Sequence, residues 1–265
     1  MRLEAYIEFA KRAFSREGTY RFQVFSRVGS VLLRVFLLAT LWTNLYRANG
    51  EQAGIALHSM LTYVVLALLL DIIYGINGAY VVREKIREGT IAIDFMRPIS
   101  VPLYVFSDTL GQTGFALLQC VPALILSAFL VHVDGPPSAL ALLGFVAALA
   151  IGFVVNYFID MIMATMTFWT MEIFGIQIMV QFISSLLSGS LVPLYFFPQG
   201  PIQQILLNSP FAALYNVPLS IYIGKYQGAQ IGDALAIQLL WAALLGAFAV
   251  WLWNVGERKV VIQGG

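Results

Sequence analysis

Hydrophobic residues fill most of this chain in long, nearly unbroken blocks, and polar residues gather in short clusters between them. Six blocks read as spans, at about 23–46, 56–80, 102–132, 139–168, 174–196 and 231–254. Each has about 20 residues or more, the length a helix needs to cross roughly 30 Å of hydrocarbon. Backbone groups in lipid must be satisfied within their own segment, so helices are the expected form. The short alternating segments of a transmembrane barrel are not apparent. The third and fourth blocks exceed what a bilayer requires, which predicts tilt, kinks or protrusion.

Residues 1–22 are too charged to cross, yet Leu3, Tyr6, Ile7, Ala10 and Phe14 recur at helical spacing. That pattern predicts a cytoplasmic amphipathic helix lying in the interface, its basic residues toward headgroups, ended at Gly18. Residues 23–265 form the transmembrane domain. Between the fifth and sixth spans, Pro193, Pro198, Pro201, Pro210 and Pro218 cut an apolar stretch into pieces too short to cross as helices. Short re-entrant helices on the outer side, at about 197–228, are expected there. Irregular backbone at membrane depth must be buried in protein or face a watery cavity. The stretch therefore caps or lines a pathway, with Pro193, Phe196, Phe197 and Pro198 as candidates for an outer gate; a purely structural lid is the alternative. The fold class is an all-α polytopic membrane protein.

Composition agrees: 60% of residues are hydrophobic, only 11% are charged, and the mean hydropathy is +0.82, too apolar for a water-covered surface. The net charge of +1 is uninformative, and without a basic run no nucleic-acid partner is expected. Cys120, the lone cysteine, excludes an intrachain disulfide and a Cys-rich metal site. The first apolar run is long and contains Arg27 and Arg34, so it reads as a retained anchor rather than a cleaved signal. Lys and Arg set the orientation. Arg2, Lys11, Arg12, Arg16, Arg21, Arg83, Lys85, Arg87, Arg97, Arg258 and Lys259 fall on one side, against Arg47 and Lys225 on the other. Both termini and the 81–100 loop are thus expected in the cytoplasm.

Arg27, Arg34, Asp71, Asp108 and Asp160 are charges placed inside spans. At 1.5 Å per residue, Arg34 sits roughly 16 Å and Asp71 roughly 13 Å deep. An unpaired charge there costs at least ~2.5–3.5 kcal/mol on insertion scales, so Arg34 and Asp71 are expected to pair. Arg27 shares a face with Arg34, with Asp108 and Asp160 as its expected partners. Structural pairing and a proton or substrate path both remain open for this network. His58 and His132 fall at outer span ends, too scattered to suggest a metal site. Trp169 marks the cytoplasmic end of the fourth span, beside Glu172. Catalytic motifs are missing: Gly224-Lys225 has neither the upstream glycine nor the following Ser/Thr of a P-loop, and no H-E-x-x-H is present. No cofactor is expected in this chain.

The polar island Arg87 to Ser100, REGTIAIDFMRPIS, remains. Charges from Val82 to Glu88 occupy consecutive helical turns, Gly89 offers a stop, and Ile91, Ile93, Phe95 and Met96 form an apolar patch before Arg97-Pro98. A solvated loop obeying the positive-inside rule is the plain alternative. At these residues the chain resembles the membrane subunits of type-2 ABC exporters, whose first cytoplasmic loop carries an E-x-G-T…R-P-like pattern. Ser188-Gly-Ser-Leu-Val-Pro-Leu-Tyr-Phe-Phe-Pro198 and Asn208-Ser-Pro-Phe resemble a poorly characterised export-permease subgroup. The resemblance implies a permease subunit of the bacterial cytoplasmic membrane that pairs with a second permease, alike or related. It also implies docking on ABC ATP-binding subunits, which hold the ATP and Mg. It further implies a coupling helix contacting the ATPase through Glu84, Lys85, Ile86, Arg87, Glu88 and Gly89, with Arg97 and Pro98 at its exit, and a dimer seam on the first and fifth spans. A hydrophobic or amphipathic exported substrate is expected. The alternatives are an ion- or proton-coupled carrier using Asp71, Asp108 and Asp160, and an intramembrane enzyme.

Overall fold

A computed structural model describes residues 2–19, 21–51, 53–75, 79–170 and 174–263. Eleven α-helices follow one another among these residues: α1 (Arg2–Glu17), α2 (Arg21–Asn49), α3 (Leu57–Tyr74), α4 (Tyr80–Arg87), α5 (Ile91–Phe95) and α6 (Val101–Leu130), then α7 (Ala139–Met166), α8 (Phe174–Leu187), α9 (Pro201–Leu207), α10 (Asn216–Tyr222) and α11 (Ala229–Gln263). Five of them, α2, α3, α6, α7 and α11, are long and apolar enough to cross a membrane.

The element carrying the fifth expected span is shorter than the hydrophobic run. α8 has 14 residues, roughly 21 Å at 1.5 Å per residue, and ends at Leu187 instead of continuing to 196. Gly189 takes φ +85°, a left-handed conformation that favours glycine, and the backbone turns there. The apolar residues up to Phe196 thus belong to a turn and a 3₁₀ segment, Leu194–Phe196. Hydrophobicity alone cannot separate a span from an apolar cap, because both are surrounded by nonpolar atoms. The second span, expected to reach residue 80, stops as helix at Tyr74; residues 76–78 lie outside the described ones and Tyr80 already begins α4.

α3 is the central helix. Its residues from Met60 to Tyr74 are almost all buried, on every face, by α2, α6 and α10. A helix apolar all round is stable only when enclosed, whereas α2, α6, α7 and α11 bury one stripe and expose the rest, as helices bordered by lipid do. α7 and α11 lie along each other, and α1 lies along α6. The last contact is close because residue 111 is glycine: a Cβ there would collide with the Ala10 carbonyl oxygen. Pro102 sits in the first turn of α6, where a missing N–H costs nothing, and Ser138 caps α7 by accepting from the Ala141 N–H at 3.1 Å.

The outer connection folds as short pieces. Pro201 opens α9, and α10 is buried from Asn216 to Ile221 against α7 and α3. Its irregular backbone is satisfied by buried side chains, as membrane depth demands. Gln203 Nε2 donates to the carbonyls of Leu194, Tyr195 and Phe197, at 3.4, 3.3 and 2.9 Å. Asn216 Oδ1 accepts from the Leu194 N–H, and Gln238 of α11 donates to Ala148 and Ala213.

Candidate functional site

Arg34 of α2 and Asp71 of α3 meet, Nη2 donating to Oδ2 at 2.6 Å. The expected pair forms because α2 packs on α3 with the two residues at matching height. Asp71 has a further partner that no sequence pattern marked: Tyr215, from the outer connection, donates its hydroxyl to Oδ1 at 2.8 Å. The connection between α8 and α11 is thereby hydrogen-bonded to a carboxylate in the last turn of α3.

The rest of the network differs from expectation. Asp108 receives Arg16 Nη2 at 2.9 Å and Gln112 Nε2 at 2.7 Å, not Arg27. The reason is the α1–α6 contact: α1 runs alongside the first half of α6, from Phe9 on Tyr104 to Phe14 on Phe115, and brings Arg16 onto Asp108. Donating to the Asp108 carboxylate holds the Arg16 guanidinium above its ordinary pKa. Asp160 accepts only from Asn156 Nδ2, at 3.2 Å, one turn earlier on α7. Arg27 has no carboxylate within ion-pair distance among the described residues.

These polar residues border a cavity of about 590 Å³ between α8 and the α2, α3 and α7 helices. Arg34, Asp71 and Tyr215 stand on one wall, Asn156 and Asp160 on another, and Gln177, Gln181, Ser184 and Ser185 come from α8. Arg83 of α4 contributes a second cation, bonded to Gln177 Oε1 and stacked on the Tyr80 ring at 4.5 Å. The Tyr74 hydroxyl, buried at the same place, has no hydrogen-bond partner among the described residues. Gln177, Gln181 and the α8 serines carried a signal that was overlooked: polar residues at helical spacing inside an apolar span.

The 81–100 loop forms two short helices hinged at Gly89, whose φ of +75° ends α4. One face is locked inward. Lys85 Nζ meets Asp94 Oδ2 at 2.6 Å, Arg97 reaches Asp94 Oδ1 at 3.4 Å, and Arg87 reaches Glu84 at 3.3 Å. The expected apolar patch divides: Ile91 is buried and Phe95 packs edge-on against Trp253 of α11, at 6.1 Å between centroids. Ile93 and Met96 point outward, 56% and 85% exposed, beside exposed Arg87, Glu88, Gly89, Thr90, Arg97 and Pro98. Among the residues expected to form a coupling helix, Glu84, Lys85 and Ile86 are half-buried and engaged within the chain.

At the outer cap, Pro193 is buried, Phe196 lies 5.3 Å from the Trp42 ring of α2, Phe197 is half-buried and Pro198 is exposed. His58 and His132, read as scattered, come together on one carboxylate: their Nε2 atoms lie 3.7 and 3.4 Å from Asp134. Lys259 Nζ lies 5.6 Å from the Trp169 ring; Glu172, expected beside that tryptophan, lies outside the described residues.

A family model described as ABC-2 family transporter protein matches residues 31–264, nearly the whole chain. The chain belongs to the ABC-2 transporter family. A comparison with curated proteins finds no significant match. As a member of this family it is a multi-pass membrane transport subunit that works with an ATP-binding subunit. The ABC-2 match runs from within α2 to the last residues of α11, so both the cavity and the 81–100 loop belong to the matched region.

Proposed function

We propose that this ABC-2 chain is the permease half of an exporter in a bacterial cytoplasmic membrane, with both termini inside the cell. It pairs with a second permease subunit through α2 and α8, and its partner ATPase holds ATP and Mg. The exposed part of the 81–100 loop is the coupling element. The observation that carries this reading is the loop's two-sidedness. Its inner face is fastened by Lys85–Asp94 and by Ile91, while Glu88, Thr90, Ile93 and Met96 are presented outward. Exposed apolar side chains rimmed by charge are what a protein partner buries. A push on such a loop passes directly to α4 and α6, which flank it.

The substrate is amphipathic and enters the cavity beside α8 before leaving past the cap at Pro193, Phe196, Phe197 and Pro198. Reversing Arg87 and Glu88 together, R87E/E88R, tests the coupling. Export should fall at least tenfold while ATP hydrolysis by the assembled complex persists and membrane insertion is normal. Unchanged export would overturn the assignment. Transport that follows a proton gradient and needs no ATPase would instead favour an ion-coupled carrier, for which Asp160, with no cation in ion-pair range among the described residues, is the relevant group.

A further inference from the structure

The cavity beside α8 contains an acidic and a basic side chain that do not pair with each other. Four of its ionisable groups are Arg34, Asp71, Arg83 and Asp160. Arg34 and Asp71 satisfy one another. Arg83 is bonded to a neutral amide, Gln177, and to the face of Tyr80, and it has no carboxylate within ion-pair distance among the described residues. Asp160 accepts only from the Asn156 amide and has no cationic partner among the described residues. A carboxylate and a guanidinium left unmatched near membrane depth are costly unless something else matches them.

The cavity's volume suits a small molecule, and sites of that size combine apolar walls with a few placed polar groups. The apolar wall here is Ile159, Met163, Ile178 and Phe182. Outward from it, α8 exposes Met179, Ile183 and Leu186, an apolar surface along which an acyl chain can lie.

We propose that this cavity binds the head of a zwitterionic lipid, its ammonium against Asp160 and its phosphate against Arg83, with the acyl chain leaving along α8. The proposal rests on the permease reading above and names its substrate class. Two charges at fixed separation recognise a zwitterion and discriminate against molecules carrying only one of them, because each absent charge leaves a protein ion unmatched.

The test uses the complex assembled with its ATP-binding subunit and photoactivatable acyl chains on three probes. These are lysophosphatidylethanolamine, its N-acetyl derivative, which keeps only the phosphate charge, and dodecylamine, which keeps only the ammonium. The zwitterion should label α7 and α8 saturably and at least tenfold more tightly than either singly charged probe. Asp160→Asn should abolish its advantage over the N-acetyl derivative. Arg83→Gln should abolish its advantage over dodecylamine, while each variant still binds the probe lacking the charge that it no longer matches. Asp160→Glu should keep most of the preference, which a folding defect would not. Equal labelling by all three probes, or an unchanged preference in both D160N and R83Q, would overturn the proposal. An ATP-binding subunit that never co-purifies with the wild-type chain would count against the permease reading instead, so the two failures are distinguishable.

Discussion

Two glycines three residues apart on α6 face α1 with different amounts of room. At Gly111 an added Cβ collides with the backbone of Ala10, whereas at Gly114 it meets only the Phe14 ring at an ordinary 3.5 Å. Gly111→Leu should therefore destabilise by about 1–3 kcal/mol through overpacking, and Gly114→Ala should be neutral or stabilising by up to ~1 kcal/mol through helix propensity. Thermal unfolding of the purified chain in detergent checks both, and equal effects would contradict the close α1–α6 approach. Arg34 and Asp71 present a different balance at the same scale. Removing either leaves the other alone inside a span, at a cost of at least ~2.5–3.5 kcal/mol on insertion scales. Arg34→Ala and Asp71→Ala should each lower the yield of folded protein, and the double variant should recover part of it. Singles that behave as wild type would dismiss the pair as a determinant. Tyr215→Phe removes only the hydroxyl bond and should have the smaller effect.

At the scale of elements, α5 sets neighbouring apolar residues to opposite tasks. Ile91 is buried beneath the loop and Ile93 is turned out. Ile91→Asp should damage the fold of the chain itself by burying an unpaired charge. Ile93→Asp and Met96→Asp should leave the isolated chain intact and weaken its association with the ATP-binding subunit tenfold or more. Quantitative co-purification together with unfolding midpoints separates the two classes, and a folding defect in I93D would remove that residue from the docking face. The island's amphipathic character was legible in the alternation of charge, glycine and apolar residues. Which apolar residue faced which way was not, because in five residues a helix turns too little to define a stripe, and only Phe95 meeting Trp253 fixes the rotation.

For the whole molecule, α8 is the conspicuous helix. It is apolar and short, it borders the cavity on one side, and it exposes Met179, 61% accessible, on another. If α2 and α8 form the seam with a second permease subunit, Met179→Cys in a Cys120→Ala background should form a disulfide across a homodimer. Leu143→Cys, on the exposed face of α7, should not. Cross-linking at both positions, or at Leu143 alone, would place the seam elsewhere.

The sequence by itself determined the class of the molecule, six apolar runs of which five are long helices, the proline-cut pieces between α8 and α11, and the pairing of Arg34 with Asp71. These follow from one-dimensional quantities: the length of apolar runs, the depth of a charge along a helix, and the residues that forbid helix. Only the tertiary structure decided where α8 ends, which arginine takes Asp108, that two distant histidines share Asp134, and that Asp160 and Arg83 border one cavity without pairing. Those outcomes depend on which helices lie side by side and at what height. A run of hydrophobic residues cannot specify that, because lipid and protein neighbours satisfy an apolar side chain equally well.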